Sequence, residues 1–151
     1  MAVSSRIKSL LVISWLFLIS SPALAANVVT IGQGSGFSGQ SGTITVSMDN
    51  DDPISGLQFT IRDLPDSLTV TSVTLASRLS SFSAPAINDI DSLGVVRIVI
   101  IRFGVNAPPG SGPIFTLDYE IAQDTPPGDY DIIIEEVVLS NPQAQNVESS
   151  G

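Results

Sequence analysis

An all-β sandwich is the fold class that this 151-residue sequence predicts. Three observations predict it. Short apolar runs alternate with polar residues at a period of two, Gly, Pro, Asp, Asn and Ser break those runs every few residues, and no window carries the apolar stripe of an amphipathic helix. Strands are expected at Asn27–Ile31, Thr43–Met48, Leu57–Arg62 and Leu68–Leu75, then at Val95–Phe103, Ile114–Ile121, Tyr130–Ile134 and Val137–Leu139. The stretch from Ala76 to Asp91 is less regular. The breaks have turn chemistry: a Gly/Ser-rich connection from Gly32 to Gly42, a turn at Asp49–Pro53, a Pro- and Gly-rich loop from Asn106 to Pro113, and a second turn at Asp124–Gly128. The polar end, Gln143–Gly151, is expected to fray.

Alternation also assigns faces. Leu57, Phe59 and Ile61 point one way, and Gln58, Thr60 and Arg62 the other. Phe115, Leu117, Tyr119 and Ile121 form an inner set opposed by Thr116, Asp118 and Glu120. Val95–Phe103 is apolar on both faces, as a central or covered strand would be. Its outer side chains therefore either meet a partner or lie under a loop drawn from Ala76–Asp91.

Residues 1–25 read as a secretory signal peptide rather than as part of the sandwich. Arg6 and Lys8 precede an apolar run from Leu10 to Ile19, and the small-x-small pattern Ala23-Leu24-Ala25 follows. The apolar run is about half the roughly 20 residues that a membrane-spanning helix needs. Cleavage after Ala25 leaves a domain of residues 26–151, long enough to bury a core without staples. The sequence contains no Cys, so there is neither a disulfide framework nor a cysteine for lipid attachment. Secretion into the extracellular space is the expected destination.

The residue types missing from the processed chain exclude much chemistry. Removing the leader takes away the only Trp and every Lys, and His and Cys are absent throughout. No Ser-His-Asp triad, thiol nucleophile, lysine Schiff base or His/Cys zinc site can be built. The acidic residues sit mostly in turns and on outer strand faces, where solvated charges belong, so the chain is read as a non-enzyme with no cofactor. Four arginines against 15 acidic side chains leave the processed chain near −11, a surface that repels nucleic acid and anionic lipid. Asp49-Asn50-Asp51-Asp52 offers oxygen ligands but lacks the spacing of a calcium loop, and it is read as an Asx-type turn. Of the aromatics, Phe59, Phe115, Tyr119 and Tyr130 fall at inward positions and only Phe37, Phe82 and Phe103 are candidates for exposure, a poor platform for a flat polysaccharide.

Gly39–Met48, Gly56–Leu68, Gly112–Leu117 and Pro127–Ile132 together resemble the cohesin domain, the scaffold-side module that captures dockerin-bearing enzymes in cellulosomes. Gly56-Leu57-Gln58-Phe59-Thr60-Ile61-Arg62-Asp63-Leu64-Pro65-Asp66-Ser67-Leu68 is similar to that family's alternating strand followed by Asp-Pro-x-x-Leu, with Asp63-Leu64-Pro65 where the family has Tyr-Asp-Pro. Gly39–Met48 resembles its second strand, Gly112-Pro113-Ile114-Phe115-Thr116-Leu117 its Gly-x-Phe-x-x-Leu strand, and Pro127-Gly128-Asp129-Tyr130-Asp131-Ile132 its Pro-Gly-x-Tyr-x-Ile strand. The resemblance implies a jelly-roll β-sandwich of about nine strands, related in fold to cellulose-binding modules. It also implies a dockerin-type partner, itself calcium-dependent, and a role in extracellular polysaccharide degradation. The implied partner face is the sheet of the third, fifth, sixth and eighth strands, which carries Gln58, Thr60 and Arg62, then Arg97, Val99 and Ile101, with Asp129, Asp131 and Ile133 beside them. The alternative functions on the same fold are a carbohydrate-binding module and a self-associating matrix or surface protein.

Overall fold

The alternating runs close into two five-stranded sheets packed face to face. The computed structural model describes residues 27–64, 67–90 and 94–151; the expected leader lies outside them. Ten strands occur among the described residues: β1 (Asn27–Ile31), β2 (Ser41–Asn50), β3 (Gly56–Leu64), β4 (Leu68–Leu75), β5 (Ala86–Ile90), β6 (Val95–Ile101), β7 (Gly110–Ile121), β8 (Asp131–Ser140), β9 (Asn146–Val147) and β10 (Ser149–Ser150). One sheet has the order β10-β1-β2-β7-β4 and the other β5-β6-β3-β8-β9. All pairings are antiparallel except β1 with β10. This is the expected jelly-roll sandwich.

The longer strands each turn a set of apolar side chains inward. Val29, Val46, Met48, Leu57, Phe59, Ile61, Ile98, Ile100, Phe115, Leu117 and Leu139 belong to one continuous core. At its centre the rings of Phe59 on β3 and Phe115 on β7 meet across the sandwich, 5.3 Å apart between centroids and tilted by 58°. Such tilted aromatic contact adds to the burial energy of two large rings. A bulge in β7 between the partners of Val46 and Ser47 lets Ile114 as well as Phe115 be buried, and Pro113 sits beside that irregularity, where a strand tolerates a missing N–H.

Polar side chains fix the connections. Arg78, in a single 3-10 turn (Ser77–Leu79), donates to the carbonyls of Met48 (2.7 Å), Gly110 (2.9 Å), Pro108 (3.1 Å) and Gly112 (3.4 Å) and to Asn50 Oδ1 (2.6 Å). Gly110 and Gly112 have φ of 142° and 138°, values L side chains rarely adopt, and their carbonyls reach Arg78 in that conformation. Asp63, buried at the end of β3, accepts from the backbone N–H groups of Ser67 (2.5 Å) and Leu68 (2.7 Å) and so starts β4. In the Asp49–Pro53 turn the Asn50 amide donates to the Asp52 carbonyl at 2.6 Å, and Asn27 donates to the Asp52 carboxylate at 3.1 Å. The turn is closed by side-chain bonds as expected, but not as an Asx turn: the Asn50 amide donates to the Asp52 carbonyl while its oxygen accepts from Arg78.

Four further expectations need correction. Ala76–Asp91 holds the 3-10 turn and the edge strand β5, which pairs with β6 instead of lying over it. Phe82 is buried in the core and not exposed. Tyr130 is half-buried in the loop before β8, its hydroxyl donating to the Pro126 carbonyl at 2.7 Å, so it does not join the inner set. The C-terminal segment does not fray, because β9 pairs with β8 and β10 with β1.

On the outer face of the first sheet, Asp118 on β7 accepts from Thr43 on β2 (2.8 Å) and Ser72 on β4 (2.6 Å). These hydrogen bonds, that from Ser72 foremost, hold its carboxyl below the usual carboxylate range. A lowered folded pKa stabilises the fold above the unfolded value of about 3.9 and loses that contribution as pH falls through the folded value. Asp118→Asn should therefore lower the unfolding temperature near neutral pH, with the gap from wild type closing below about pH 4 in a thermal melt series; a gap that persists unchanged in acid would contradict this. Phe59→Ala should cost about 3–5 kcal/mol in denaturant unfolding.

Candidate functional site

The two outer faces of the sandwich differ in kind. The face of β1, β2, β7 and β4 presents Thr30, Thr43, Thr45, Ser47, Asp49, Thr116, Asp118, Glu120, Ser72 and Thr74, the hydroxyl-rich surface of an ordinary solvated sheet. The face of β6, β3 and β8 carries apolar side chains among charges. Its rows are fixed by register: Val99, Gln58 and Val138 lie side by side, then Arg97, Thr60 and Glu136, then Val95, Arg62 and Ile133. Ile101 is 48% exposed and Ile133 40% exposed. Nothing among the described residues covers them, since β5 lies in the plane of the sheet beside β6.

A bulge in β8 creates the charged part of this face. Ile132 and Ile134 point into the core, and so do Val137 and Leu139, two pairs of opposite parity. The register absorbs the change between Thr60 and Ile61, where Glu136 and Ile134 are successive partners and Glu135 is the extra residue. Both glutamates consequently lie outside. Thr60 donates to Glu136 at 3.2 Å. Arg62 grips Glu135 through Nε (2.5 Å) and a second guanidinium nitrogen (3.3 Å). The hydrogen bond to Glu135 is the main cause holding the Arg62 pKa above its ordinary value; desolvation opposes it, and the charges of Glu135 and Asp63 add to it.

The sequence-predicted residues fall into two groups. Gln58, Thr60, Arg62, Arg97, Val99, Ile101, Asp131 and Ile133 share this one face. Asp129 does not join the rows; it lies before β8 begins, in the loop at one end of the sandwich. Glu135, Glu136 and Val138 were missed, because Tyr130–Ile134 and Val137–Leu139 read as two strands with a gap. The available signal was the parity switch of the apolar residues across two consecutive glutamates. Among the described residues three arginines are committed: Arg62 to Glu135, Arg78 to the carbonyls above, and Arg102 to the Ser81 carbonyl. Arg97 is exposed and has no hydrogen bond or ion pair there, next to Val99 and Ile101.

The family model for the cohesin domain matches residues 28–151. The chain belongs to the cohesin family. Its fold is shared with CaCohA2 from Clostridium acetobutylicum (TM-score 0.67, 16% identity, 83% of this chain and 86% of that one covered). It is shared equally with a chain of the type I Coh-OlpA–Doc918 cohesin–dockerin complex from Clostridium thermocellum (0.67, 19%, 82% and 92%). A non-cellulosomal cohesin from the hyperthermophilic archaeon Archaeoglobus fulgidus is similar too (0.65, 13%, 85% and 86%). No curated protein matches the chain. Membership in the family makes this cohesin a non-catalytic interaction module.

Deleting Glu135 should remove the bulge and leave strict alternation, with Ile132, Ile134, Val137 and Leu139 all still facing the core, so denaturant titration should keep a single cooperative transition; loss of cooperative unfolding would contradict this reading of the bulge. Arg62→Ala, which breaks the solvent-accessible ion pair with Glu135, should leave the unfolding temperature close to that of wild type in a thermal melt.

Proposed function

We propose that this cohesin is a secreted docking module that captures a dockerin-type protein on the outer face of β6, β3 and β8, in an extracellular system for polysaccharide degradation. The observation that carries the reading is the contrast between the two outer faces. One is polar apart from Val28 and Pro113, while the other sets Val99, Ile101, Val138 and Ile133 among Arg97, Glu136 and Asp131. An apolar centre edged with charge is how protein interfaces are commonly built. Family membership and the dockerin complexes among similar structures supply the partner class. The amino-terminal charge, apolar run and small-residue pattern support export.

Gln58, Thr60, Arg62, Arg97, Val99, Ile101, Asp131 and Ile133 are the contact residues in this reading, and Glu135, Glu136 and Val138 join them. Arg97 offers a charge that no side chain among the described residues neutralises, so a partner carboxylate placed over β6 gains an ion pair. On the β8 side, Glu136 and Asp131 favour a partner cation. Flat polysaccharide binding gains no support here, because the strand rows carry no aromatic side chain.

The test is binding of purified dockerin modules from the source organism to wild type and to the Arg97→Glu, Ile101→Asp double variant, with calcium and after chelation. Wild type should bind in calcium only, and the double variant should lose roughly thirtyfold or more in affinity, the scale of an interface hot spot, while melting at the wild-type temperature. A folded double variant that binds as tightly as wild type would remove the face from consideration.

A further inference from the structure

A second site lies at the end of the sandwich, meeting the docking face at Asp131. A groove of about 740 Å³ opens between the Gly32–Ser38 loop, the Thr125–Tyr130 loop and the end of β7. That volume is within the range of small-molecule sites, roughly 300–1,000 Å³. Its floor includes Tyr119, whose ring is only 3% exposed. The ring crosses Gly42 on the paired strand and reaches Gly34 in the loop; a Cβ at either glycine would collide with it. The tyrosine hydroxyl makes no hydrogen bond among the described residues, and no side-chain polar atom there is both buried and unpartnered. The hydroxyl therefore opens on the groove. Tyr130 differs: its hydroxyl is spent on the Pro126 carbonyl, which fixes its ring at the groove wall over Gly128. Phe37, 78% exposed, stands at the rim.

The lining selects a ligand class. It contains no Lys, Arg or His, and it carries the carboxylates of Asp129 and Asp131, so phosphates and carboxylates are disfavoured. Gln33, Ser35 and the Tyr119 hydroxyl supply donors as well as acceptors, which a metal ion or an amine would leave unused. Aromatic faces beside mixed donors and acceptors match a neutral ring bearing many hydroxyl groups. We infer that this groove binds a neutral oligosaccharide, with Tyr119 hydrogen-bonding a sugar hydroxyl, Asp129 accepting from another, and Tyr130 and Phe37 giving ring faces for stacking. Of the contact residues named for dockerin capture, Asp131 alone also lines this groove, and neither assignment depends on the other being right.

The experiment is an amide chemical-shift titration of the ¹⁵N-labelled protein with cellohexaose, xylohexaose and mannohexaose at millimolar concentration, with spermidine as the cationic comparison. At least one hexaose should shift Gln33–Ser38, Tyr119, Thr125 and Gly128–Tyr130 while leaving Val99 and Ile101 in place. Tyr119→Phe removes only the unpartnered hydroxyl; it should keep the unfolding temperature and weaken binding about three- to tenfold, the worth of one neutral hydrogen bond. Phe37→Ala, at an exposed rim position, should weaken binding as well. Three outcomes overturn the inference: no shifts with any hexaose, shifts with spermidine alone, or hexaose binding that both variants leave unchanged.

Discussion

The contact of Phe59 with Phe115 across the sandwich is the constraint on which the other features depend. Both rings are fully buried, so the parity of β3 and of β7 beyond its bulge is fixed: every second side chain along these stretches must also point inward. The neighbouring strands inherit that parity through their registers. β2 and β4 follow β7, and β6 and β8 follow β3. Once the inner face is assigned, the composition of each outer face is no longer free.

The outer faces then express two different sequence choices. On β2, β7 and β4 the outward positions are Thr, Ser, Asp and Glu, and hydrogen bonds such as those to Asp118 knit the surface to itself. On β6 the outward positions are Val95, Arg97, Val99 and Ile101. A sheet that gains nothing from apolar side chains in water retains them where another surface covers them. The β8 bulge adds Glu135 and Glu136 to the same face and ties each to β3, through Arg62 and Thr60. Among the described residues the connections leave this face clear. Arg78 and Asp63 gather the long loops by hydrogen bonds to backbone groups, and β5 extends the sheet at its edge.

Much of this was legible in the sequence because period-two alternation reports burial directly. The inward sets of β3 and β7 and the outward set on β6 follow from counting. What did not follow has definite causes. Bulges break the count: the parity switch between Ile134 and Val137 made one strand look like two. Edge strands carry weak patterns: Ala86–Ile90 gains its order from pairing with β6, and Asn146–Val147 and Ser149–Ser150 from pairing with β8 and β1, which residue type does not announce. Phe82 and Tyr130 lie outside strands, where alternation has no authority. The groove around Tyr119 arises from three segments distant in sequence, and the Gly-rich loop that frames it read simply as a connection.

The docking face is the central claim, and amide chemical shifts of the labelled domain, recorded as a purified dockerin module is added, test it most directly. The account predicts that the perturbed residues concentrate on β6, β3 and β8, with Arg97, Val99, Gln58 and Glu136 among the largest. Perturbations concentrated on β2, β7 and β4, around Thr43, Asp118 and Ser72, would contradict it.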